Sequence, residues 1–319
     1  MDENLVSLLA CPDCASDDIV FDSGERLKCA ACKAVFPIIN NIPQMLPSGL
    51  AKSLQNKEEY TGRLMAATRA GERPSDPANL EKDRLMWEHH LYDVGKESIF
   101  TNAVAAEIFI SYAEKGASDL CRRLREICGG VSGRRLLYVG SGNDRLVSTP
   151  LQDEGALMVN LDIVNESMQD LMNWGAKTCV CGDIRRLPFR DDSFDVVFSK
   201  GSLHHSQPID EPLRSMVRVC TKGGHVVLVE PNKLVTLPRS RLPKGFAVPT
   251  PYEHHLSSRE IIRILKRSGV ADIHLEAFTH APPGTPRLIA GIWDWKGRAM
   301  PRLFKHFAFE FLVRGQKKL

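Results

Sequence analysis

The chain has 319 residues, of which 43% are hydrophobic and 25% are charged, and its formal net charge is +3. These values are typical of a globular protein of about two domains, and so small a net charge does not by itself indicate a nucleic-acid partner. No apolar run reaches the ~18 residues of a membrane span, and the acidic start at Asp2 and Glu3 argues against a signal peptide. The nine cysteines, an odd number, favour reduced thiols and a cytoplasmic protein.

Two Cys-x-x-Cys pairs lie near the N-terminus, Cys11 with Cys14 and Cys29 with Cys32. Two such turns can aim four thiolates at one point, which predicts a tetrahedral zinc site. A shell of four thiolates leaves no open position for water, so the predicted zinc is structural, and a domain this small needs such a crosslink. The alternative is a set of unligated or redox-active thiols, which the paired spacing does not favour.

Apolar and proline-rich phrases extend this pattern on both sides of the cysteines. They are Leu8-Leu9-Ala10 before the first pair, then Phe36-Pro37-Ile38 and Ile42-Pro43-Gln44-Met45-Leu46 after the second. Residues 5–47 thereby resemble a family of small zinc-ribbon proteins. In that family the ribbon stands alone or activates nucleic-acid and protein methyltransferases as a separate subunit, so the resemblance implies an association with methyl transfer but no substrate.

Helices and strands follow in a regular order. Residues 80–128 have the spacing of a helical region that ends at Gly129-Gly130. From Arg134 onward, short apolar runs alternate with amphipathic stretches, which predicts an α/β fold with a doubly wound, mostly parallel sheet. The predicted strands are 135–139, 158–162, 178–181, 194–199, 225–230, 272–278 and 288–293, and the predicted helices include 211–220 and 257–268.

A glycine turn, Gly140-Ser141-Gly142, follows the first strand of this sheet. Such a turn lets the backbone approach a nucleotide closely, although Arg145 departs from the dinucleotide-binding fingerprint. Asp162 ends the second strand, about 20 residues after the turn, where a carboxylate can accept both ribose hydroxyls. Asp183 is a second acid, and it follows the third strand.

The region 134–232 resembles class I S-adenosylmethionine-dependent methyltransferases, particularly the group that includes ubiquinone and menaquinone methylases. The matching pieces occur in the family's order: Gly140-Ser141-Gly142, Asp162, Gly182-Asp183, Leu187-Pro188-Phe189, Ser193-Phe194-Asp195-Val196-Val197, Leu203-His204-His205 and Gly223-Gly224. The resemblance implies a Rossmann-like sheet of the seven-stranded type. The chain then divides into a zinc ribbon (1–47), a linker and helical lid region (48–130), a methyltransferase domain (131–295) and a basic amphipathic tail (296–319).

The resemblance also implies contacts to the methionine part of S-adenosylmethionine. Gly140 and Gly142, with Ser141 between them, would pass under this part of the cofactor. The family usually has an acid two residues before the first glycine, where it binds the methionine ammonium, but this chain has Tyr138 there. Our hypothesis is that Asp144 supplies the missing negative charge.

The adenosine part is assigned in the same way. Asp162 would hold the ribose, with Ile163 against the adenine ring. Asp183 would accept the adenine amino group, and the Ile184 N–H would meet a ring nitrogen. Ser199, at the end of the fourth strand, would lie beside the reactive sulfonium.

His204 and His205 lie where open α/β sheets bind ligands. Histidine titrates near neutrality, so His205 or His204 is a candidate catalytic base, and an orienting role for this loop is an equal alternative. The leading hypothesis is methyl transfer to oxygen or nitrogen of a small-molecule or sugar-bearing acceptor. The alternatives are an RNA methyltransferase acting on rRNA or tRNA, and a non-catalytic zinc-ribbon scaffold with a degenerate methyltransferase domain.

The C-terminal tail combines many cations with an apolar stripe of Phe304, Phe307, Ala308 and Phe311 at helical spacing. This pattern predicts a basic amphipathic helix. Such a helix can make a peripheral membrane contact, touch RNA or dock on its own core. The sequence makes no prediction about the oligomeric state.

Overall fold

The computed structural model describes residues 3–52, 85, 103–206, 208–232, 256–279, 288, 291–293, 295, 299–300 and 308–319. The strands are β1 (Ile19–Ser23), β2 (Arg26–Cys29), β3 (Val35–Ile39), β4 (Ile42–Met45), β5 (Arg135–Val139), β6 (Leu157–Asp162), β7 (Cys179–Gly182), β8 (Phe194–Lys200), β9 (Cys220–Pro231), β10 (Val270–Thr279) and β11 (Glu310–Lys317). The helices are α1 (Glu3–Leu8), α2 (Ser48–Ala51), α3 (Ala103–Cys128), α4 (Arg145–Asp153), α5 (Asn165–Asn173), α6 (Asp210–Val219) and α7 (Ser258–Arg267).

The strands of the described residues form one sheet in the order β1-β2-β3-β4-β7-β6-β5-β8-β9-β11-β10. Neighbouring strands from β7 through β9 are all parallel, and β11 runs antiparallel between β9 and β10. The chain leaves β5 towards β6 on one side and later returns to β8 on the other. This reversal leaves a crevice at the carboxyl ends of β5 and β8, which is where open sheets of this kind bind ligands.

Alternating residues of the central strands bury into two separate cores. On one face, Leu137 and Val139 of β5 pack in a cluster that includes residues of α6 and α7. On the other face, Leu136 and Tyr138 pack in a cluster with residues of α3 and α4. Neighbouring residues of a strand point to opposite faces. The strands of a parallel sheet that is covered on both sides therefore have continuous apolar sequences, which is the pattern from which these strands are predicted.

The cysteine-bearing segment is hydrogen-bonded to the rest of the chain at two places, one in the same sheet and one at an isolated bridge. β4 pairs in parallel with β7, placing Gln44 beside Cys181 and Met45 beside Gly182. Leu9 forms an antiparallel bridge with Phe189, and both side chains are buried in the core that contains α6. The N-terminal segment therefore covers the β7 edge of the sheet, which would otherwise present unpaired backbone groups.

Most predicted elements are present at the predicted places, with bounds that shift by one or two residues, while β9 begins five residues earlier than predicted. The predicted helix before the sheet is present as α3 over its described part. Residues 53–102 of the predicted linker and lid region lie outside the described residues, apart from Leu85. None of the helices in the described residues has both the length and the apolar character that crossing a bilayer requires.

Two predictions about the C-terminal region are wrong. The predicted strand 288–293 is helical at its described residues 288 and 291–293, and the strand beside β9 on that side is β11. The predicted tail helix is replaced over 310–317 by β11, and Phe304 and Phe307 lie outside the described residues. The consecutive buried residues Phe311, Leu312 and Val313 explain the second difference, since both faces of an internal strand are covered.

The contact between Leu9 and Phe189 predicts a shared folding unit. We expect Leu9→Ala to lower the free energy of unfolding of the whole chain by about 2–5 kcal/mol, because it leaves a cavity at a fully buried site. Val20→Ala is the matched control, since Val20 is 48% exposed in the same N-terminal segment. Denaturant unfolding followed by circular dichroism measures both variants. A Leu9→Ala protein as stable as Val20→Ala would contradict the shared core.

Candidate active site

The glycine turn after β5 lies at the crevice between β5 and β8. Gly140 and Gly142 both have positive φ angles, of 64° and 49°. A Cβ at Gly140 would lie 2.3 Å from the Ser202 hydroxyl oxygen, so no larger residue fits there. A Cβ at Gly142 would meet nothing within 4 Å in the described part of the chain. The turn therefore packs tightly on one side and leaves room for a ligand on the other.

Asp162 ties this turn to the neighbouring strand β6. One of its carboxylate oxygens accepts a hydrogen bond from the Gly142 N–H at 2.8 Å, and the other accepts one from the Val164 N–H at 3.0 Å. A carboxylate oxygen can accept more than one hydrogen bond. The residue predicted to hold the ribose is thus fixed in direction beside the glycine turn, and its contact with a ribose stays a prediction.

Asp183 has a different environment from the one expected. Its side chain is only 1% exposed, and its carboxylate forms an ion pair with the Arg185 guanidinium at 2.7 Å. It also accepts a hydrogen bond from the Arg185 backbone N–H at 2.9 Å. The predicted adenine contacts of Asp183 and Ile184, and that of Ile163, stay predictions. Sequence reasoning missed Arg185, although a cation two residues after a buried acid was a usable signal.

Tyr138 and Asp144 are in direct contact. The buried Tyr138 hydroxyl donates to Asp144 Oδ2 at 2.9 Å, and the Lys200 ammonium approaches the same oxygen at 3.3 Å. Burial raises the pKa of Tyr138 well above its usual value, as does the nearby Asp144 charge. The phenol therefore keeps its proton and acts as a donor to the carboxylate. The structure brings Tyr138 and Asp144 together, while the predicted role of Asp144 towards the cofactor stays a prediction, and the sequence analysis gave Lys200 no role.

The two candidate bases differ in their partners. His204 Nδ1 lies 2.8 Å from Glu230 Oε2, and Glu230 is fully buried at the end of β9. Glu230 Oε1 accepts hydrogen bonds from the Ser202 and Leu203 N–H groups. The His205 ring lies beside that of His204, with centroids 4.1 Å apart. Among the described contacts, a carboxylate therefore orients His204, which is one of the two candidate bases.

Burial raises the pKa of Glu230 to about 7, while the N–H groups of the 202–204 loop and the charge of His205 oppose this rise. A carboxyl group with a pKa near neutrality can exchange a proton with a hydrogen-bonded partner at physiological pH. Glu230 was recognisable in the sequence as the single acid that follows the apolar run 226–229.

Ser199, predicted to lie beside the sulfonium, is buried at the end of β8. Its hydroxyl contacts that of Ser202 at 2.7 Å, so it lies at the crevice near the glycine turn. A second buried carboxyl group, Glu310, begins β11 opposite Pro231. Tyr112 and Thr279 both donate to it, and burial raises its pKa. The sequence pattern had placed Glu310 on a tail helix and therefore missed it.

The four N-terminal cysteines converge as predicted. Their sulfur atoms all lie within 4.8 Å of one another, with Cys11 and Cys32 separated by 3.6 Å and Cys14 and Cys29 also by 3.6 Å. Four sulfurs bound to zinc at ~2.3 Å in a tetrahedron would be ~3.8 Å apart, so this cluster has the size and ligand chemistry of a metal site.

The raised pKa of Glu230 predicts a pH dependence of stability. Since its pKa rises from 4.5 to about 7 on folding, the folded protein binds more protons than the unfolded chain between these values. Its contribution is fully present below about pH 4.5 and is lost as the pH rises through about 7. We expect Glu230→Gln to flatten this fall in the free energy of unfolding, measured by denaturant titration from pH 4.5 to 7.5. An unchanged slope would show that Glu230 titrates normally.

The site agrees with comparisons to known proteins. Residues 137–228 match a family model described as a methyltransferase domain. The chain is 30% identical over 169 residues to a ubiquinone/menaquinone biosynthesis C-methyltransferase of Vibrio parahaemolyticus, covering 47% of this chain and 64% of that protein. It is 30% identical over 149 residues to a protein of the same description from Pseudomonas aeruginosa, covering 40% and 58%. This chain therefore spans less than two thirds of the length of these relatives.

A solved structure of an S-adenosylmethionine-dependent methyltransferase from Thermotoga maritima superimposes with a TM-score of 0.52 and 14% identity. The match covers 72% of this chain and 99% of that one, and at this identity it shows the fold alone. The chain thus carries a methyltransferase domain on the Rossmann-like fold of the S-adenosylmethionine-dependent methyltransferases.

Proposed function

We propose that this chain is an S-adenosylmethionine-dependent methyltransferase whose acceptor is a small molecule with an acidic hydroxyl group. The observation that carries the proposal is the His204–Glu230 pair, with its 2.8 Å contact and its buried carboxyl group at the carboxyl edge of the sheet. The matched methyltransferase domain and the fixed carboxylate of Asp162 beside the glycine turn support cofactor binding at the same edge.

In this proposal, different residues at the crevice contact different parts of the cofactor. Asp162 accepts the ribose hydroxyls, and Gly140 and Gly142 pass under the methionine part. Ser199 lies beside the reacting centre, between the glycine turn and the His204 loop. Bound S-adenosylmethionine supplies an electrophilic methyl group on a sulfonium. The protein's part is to align this group with the acceptor and to exclude water, which can supply ~7–11 kcal/mol of the barrier reduction.

His204 is the proposed base. Its Nδ1–H donates to Glu230, so Nε2 is the ring nitrogen that takes the acceptor's hydroxyl proton in this proposal. Glu230 stabilises the resulting imidazolium, whose positive charge also favours the ionised form of the carboxyl group. A base is needed for a hydroxyl but not for a neutral amine, so this pair favours an acceptor that reacts through oxygen or through a carbon activated by an ionised hydroxyl.

The atom methylated is the finer part of the proposal. The sequence predicted oxygen or nitrogen, whereas the similar proteins are described as C-methyltransferases. Loss of a hydroxyl proton from an aromatic ring makes both the oxygen and the neighbouring carbons nucleophilic, so one base serves either outcome. Methylation of RNA is the competing function, and the cytoplasmic location predicted from the sequence stays a prediction.

Labelled methyl transfer tests this function. We expect the purified chain, incubated with methyl-labelled S-adenosylmethionine and fractionated cell extract, to label the small-molecule fraction. His204→Ala should reduce the rate by about 10²–10⁴-fold, the usual contribution of a positioned base, without loss of S-adenosylhomocysteine binding. His274→Ala, at an exposed position of β10, is the matched control. Label that enters RNA instead would support the competing function.

Cofactor binding is tested separately by calorimetry with S-adenosylhomocysteine. We expect Asp162→Asn to weaken this binding strongly, because the variant loses the negative charge that accepts the ribose hydroxyls and the Gly142 N–H. A wild-type chain that binds no S-adenosylhomocysteine would leave the scaffold alternative as the function.

We also propose that the four-cysteine cluster binds one structural zinc ion. We expect metal analysis to find one zinc per chain, and Cys14→Ser to lose it together with thermal stability, because the ribbon loses its crosslink. Cys128→Ser is the matched control, since this half-buried thiol lies outside the cluster. Equal zinc contents in the two variants would contradict the site.

A further inference from the structure

Three side chains from different elements meet beside the glycine turn. Tyr138 comes from the end of β5, Asp144 from the residue before α4, and Lys200 from the end of β8. The Tyr138 hydroxyl and the Lys200 ammonium both contact Asp144 Oδ2, at 2.9 and 3.3 Å. The chain has therefore placed a cation and an anion in contact at the switch point of its sheet.

Asp144 does not cap α4, although it occupies the position where a capping residue is expected. It occupies the N-cap position of α4, where an aspartate usually accepts a hydrogen bond from the first turn of its helix. Here the side chain makes no such bond and turns towards Tyr138 and Lys200. Oδ2 receives both of these contacts, and Oδ1 receives no hydrogen bond from the described residues. One oxygen is thereby held in place, and the other is available to a ligand.

Lys200 is constrained in a similar way. Its side chain is only 16% exposed, and its stem runs beside α3, where a Cβ at Gly116 would lie 3.7 Å from Lys200 Cε. Among the described residues, Asp144 is the one hydrogen-bond acceptor of the Lys200 ammonium, which has three N–H donors. Two donors therefore remain for an anionic group of a ligand.

The methionine end of the cofactor has matching chemistry, since it carries an α-ammonium and an α-carboxylate next to each other. Asp144 alone would attract the ammonium but repel the carboxylate. An ion pair with one open acceptor and two open donors can bind both charges at once. This inference rests on the proposed function, because it concerns the cofactor of that same site.

We propose that Asp144 and Lys200, aligned by Tyr138, form the subsite that binds the amino-acid end of the cofactor. Asp144 Oδ1 accepts from the α-ammonium, and the Lys200 ammonium donates to the α-carboxylate. Tyr138 replaces the usual acid by holding the carboxylate of another residue at this place. The tyrosine is thus a positioning residue, and the departure at position 138 moves the negative charge without removing it.

Two cofactor fragments distinguish this subsite from the rest of the site. S-adenosylhomocysteine has the amino-acid end, whereas 5′-methylthioadenosine has the same nucleoside and a thioether but no amino acid. We expect Asp144→Asn and Lys200→Met each to weaken the binding of S-adenosylhomocysteine by about tenfold or more, measured by calorimetry. The reason is that each substitution removes a charge-assisted hydrogen bond. Neither variant should change the affinity for 5′-methylthioadenosine, whose binding also shows that the variant is folded.

Matched variants test the specificity of the effect. Lys317→Met is the control for Lys200→Met, because Lys317 is 18% exposed and pairs with Asp192 in the same way, but on β11. It should leave both affinities unchanged. Tyr138→Phe should weaken the binding of S-adenosylhomocysteine by a smaller factor than Asp144→Asn, because it removes only the hydrogen bond that aligns the Asp144 carboxylate.

Four results would overturn the inference. Equal losses for the two fragments would place Asp144 and Lys200 outside the amino-acid subsite. Tighter binding of S-adenosylhomocysteine by Lys200→Met would show that the lysine competes with the cofactor ammonium instead of binding the carboxylate. A wild-type chain that binds neither fragment would remove the proposed function as well, whereas wild-type binding with unaffected variants would remove the subsite alone.

Discussion

The hydrogen bond from the Gly142 N–H to the Asp162 carboxylate connects the two structural features on which the site depends. The glycine turn needs positive φ angles and close packing against Ser202, and the carboxylate needs a fixed direction at the end of β6. Joining them leaves the outer side of Gly142 open towards a ligand. Because β5 lies between β6 and β8, this bond is made at the switch point, where the helices diverge and a crevice forms.

Two carboxyl groups, whose burial costs free energy, also lie at the carboxyl edge of the sheet. Glu230 and Glu310 are buried on adjacent strands, and burial raises the pKa of each. Each carboxyl group is hydrogen-bonded, Glu230 to backbone N–H groups and His204 and Glu310 to two hydroxyls. Buried polar groups of this kind reduce stability unless they are satisfied, and their accumulation near the crevice is consistent with proton transfer there.

The N-terminal ribbon contributes to the same structure instead of standing apart. Pairing of β4 with β7 extends the sheet beyond its edge strand, and the Leu9 bridge adds a second connection. Cys11 and Cys29 pack in the core that also contains Phe189 and residues of α6. A segment this small has little core of its own, so sharing the core of the larger sheet supplies burial that it could not achieve alone. It follows that a change in the ribbon can reach β7, which ends next to Asp183.

The sequence by itself determined the alternation of strands and helices, the glycine turn, Asp162 and the four-cysteine cluster, because each depends on local periodicity or short spacing. The tertiary structure alone decided that Glu230 orients His204 and that Lys200 meets Asp144, whereas the Arg185–Asp183 ion pair joins near neighbours in the sequence. The first two pairs of partners are 26 or more residues apart and meet only through strand order. The same reason explains the tail, since Phe311 fits a helical stripe locally, whereas the open place between β9 and β10 made its segment a strand.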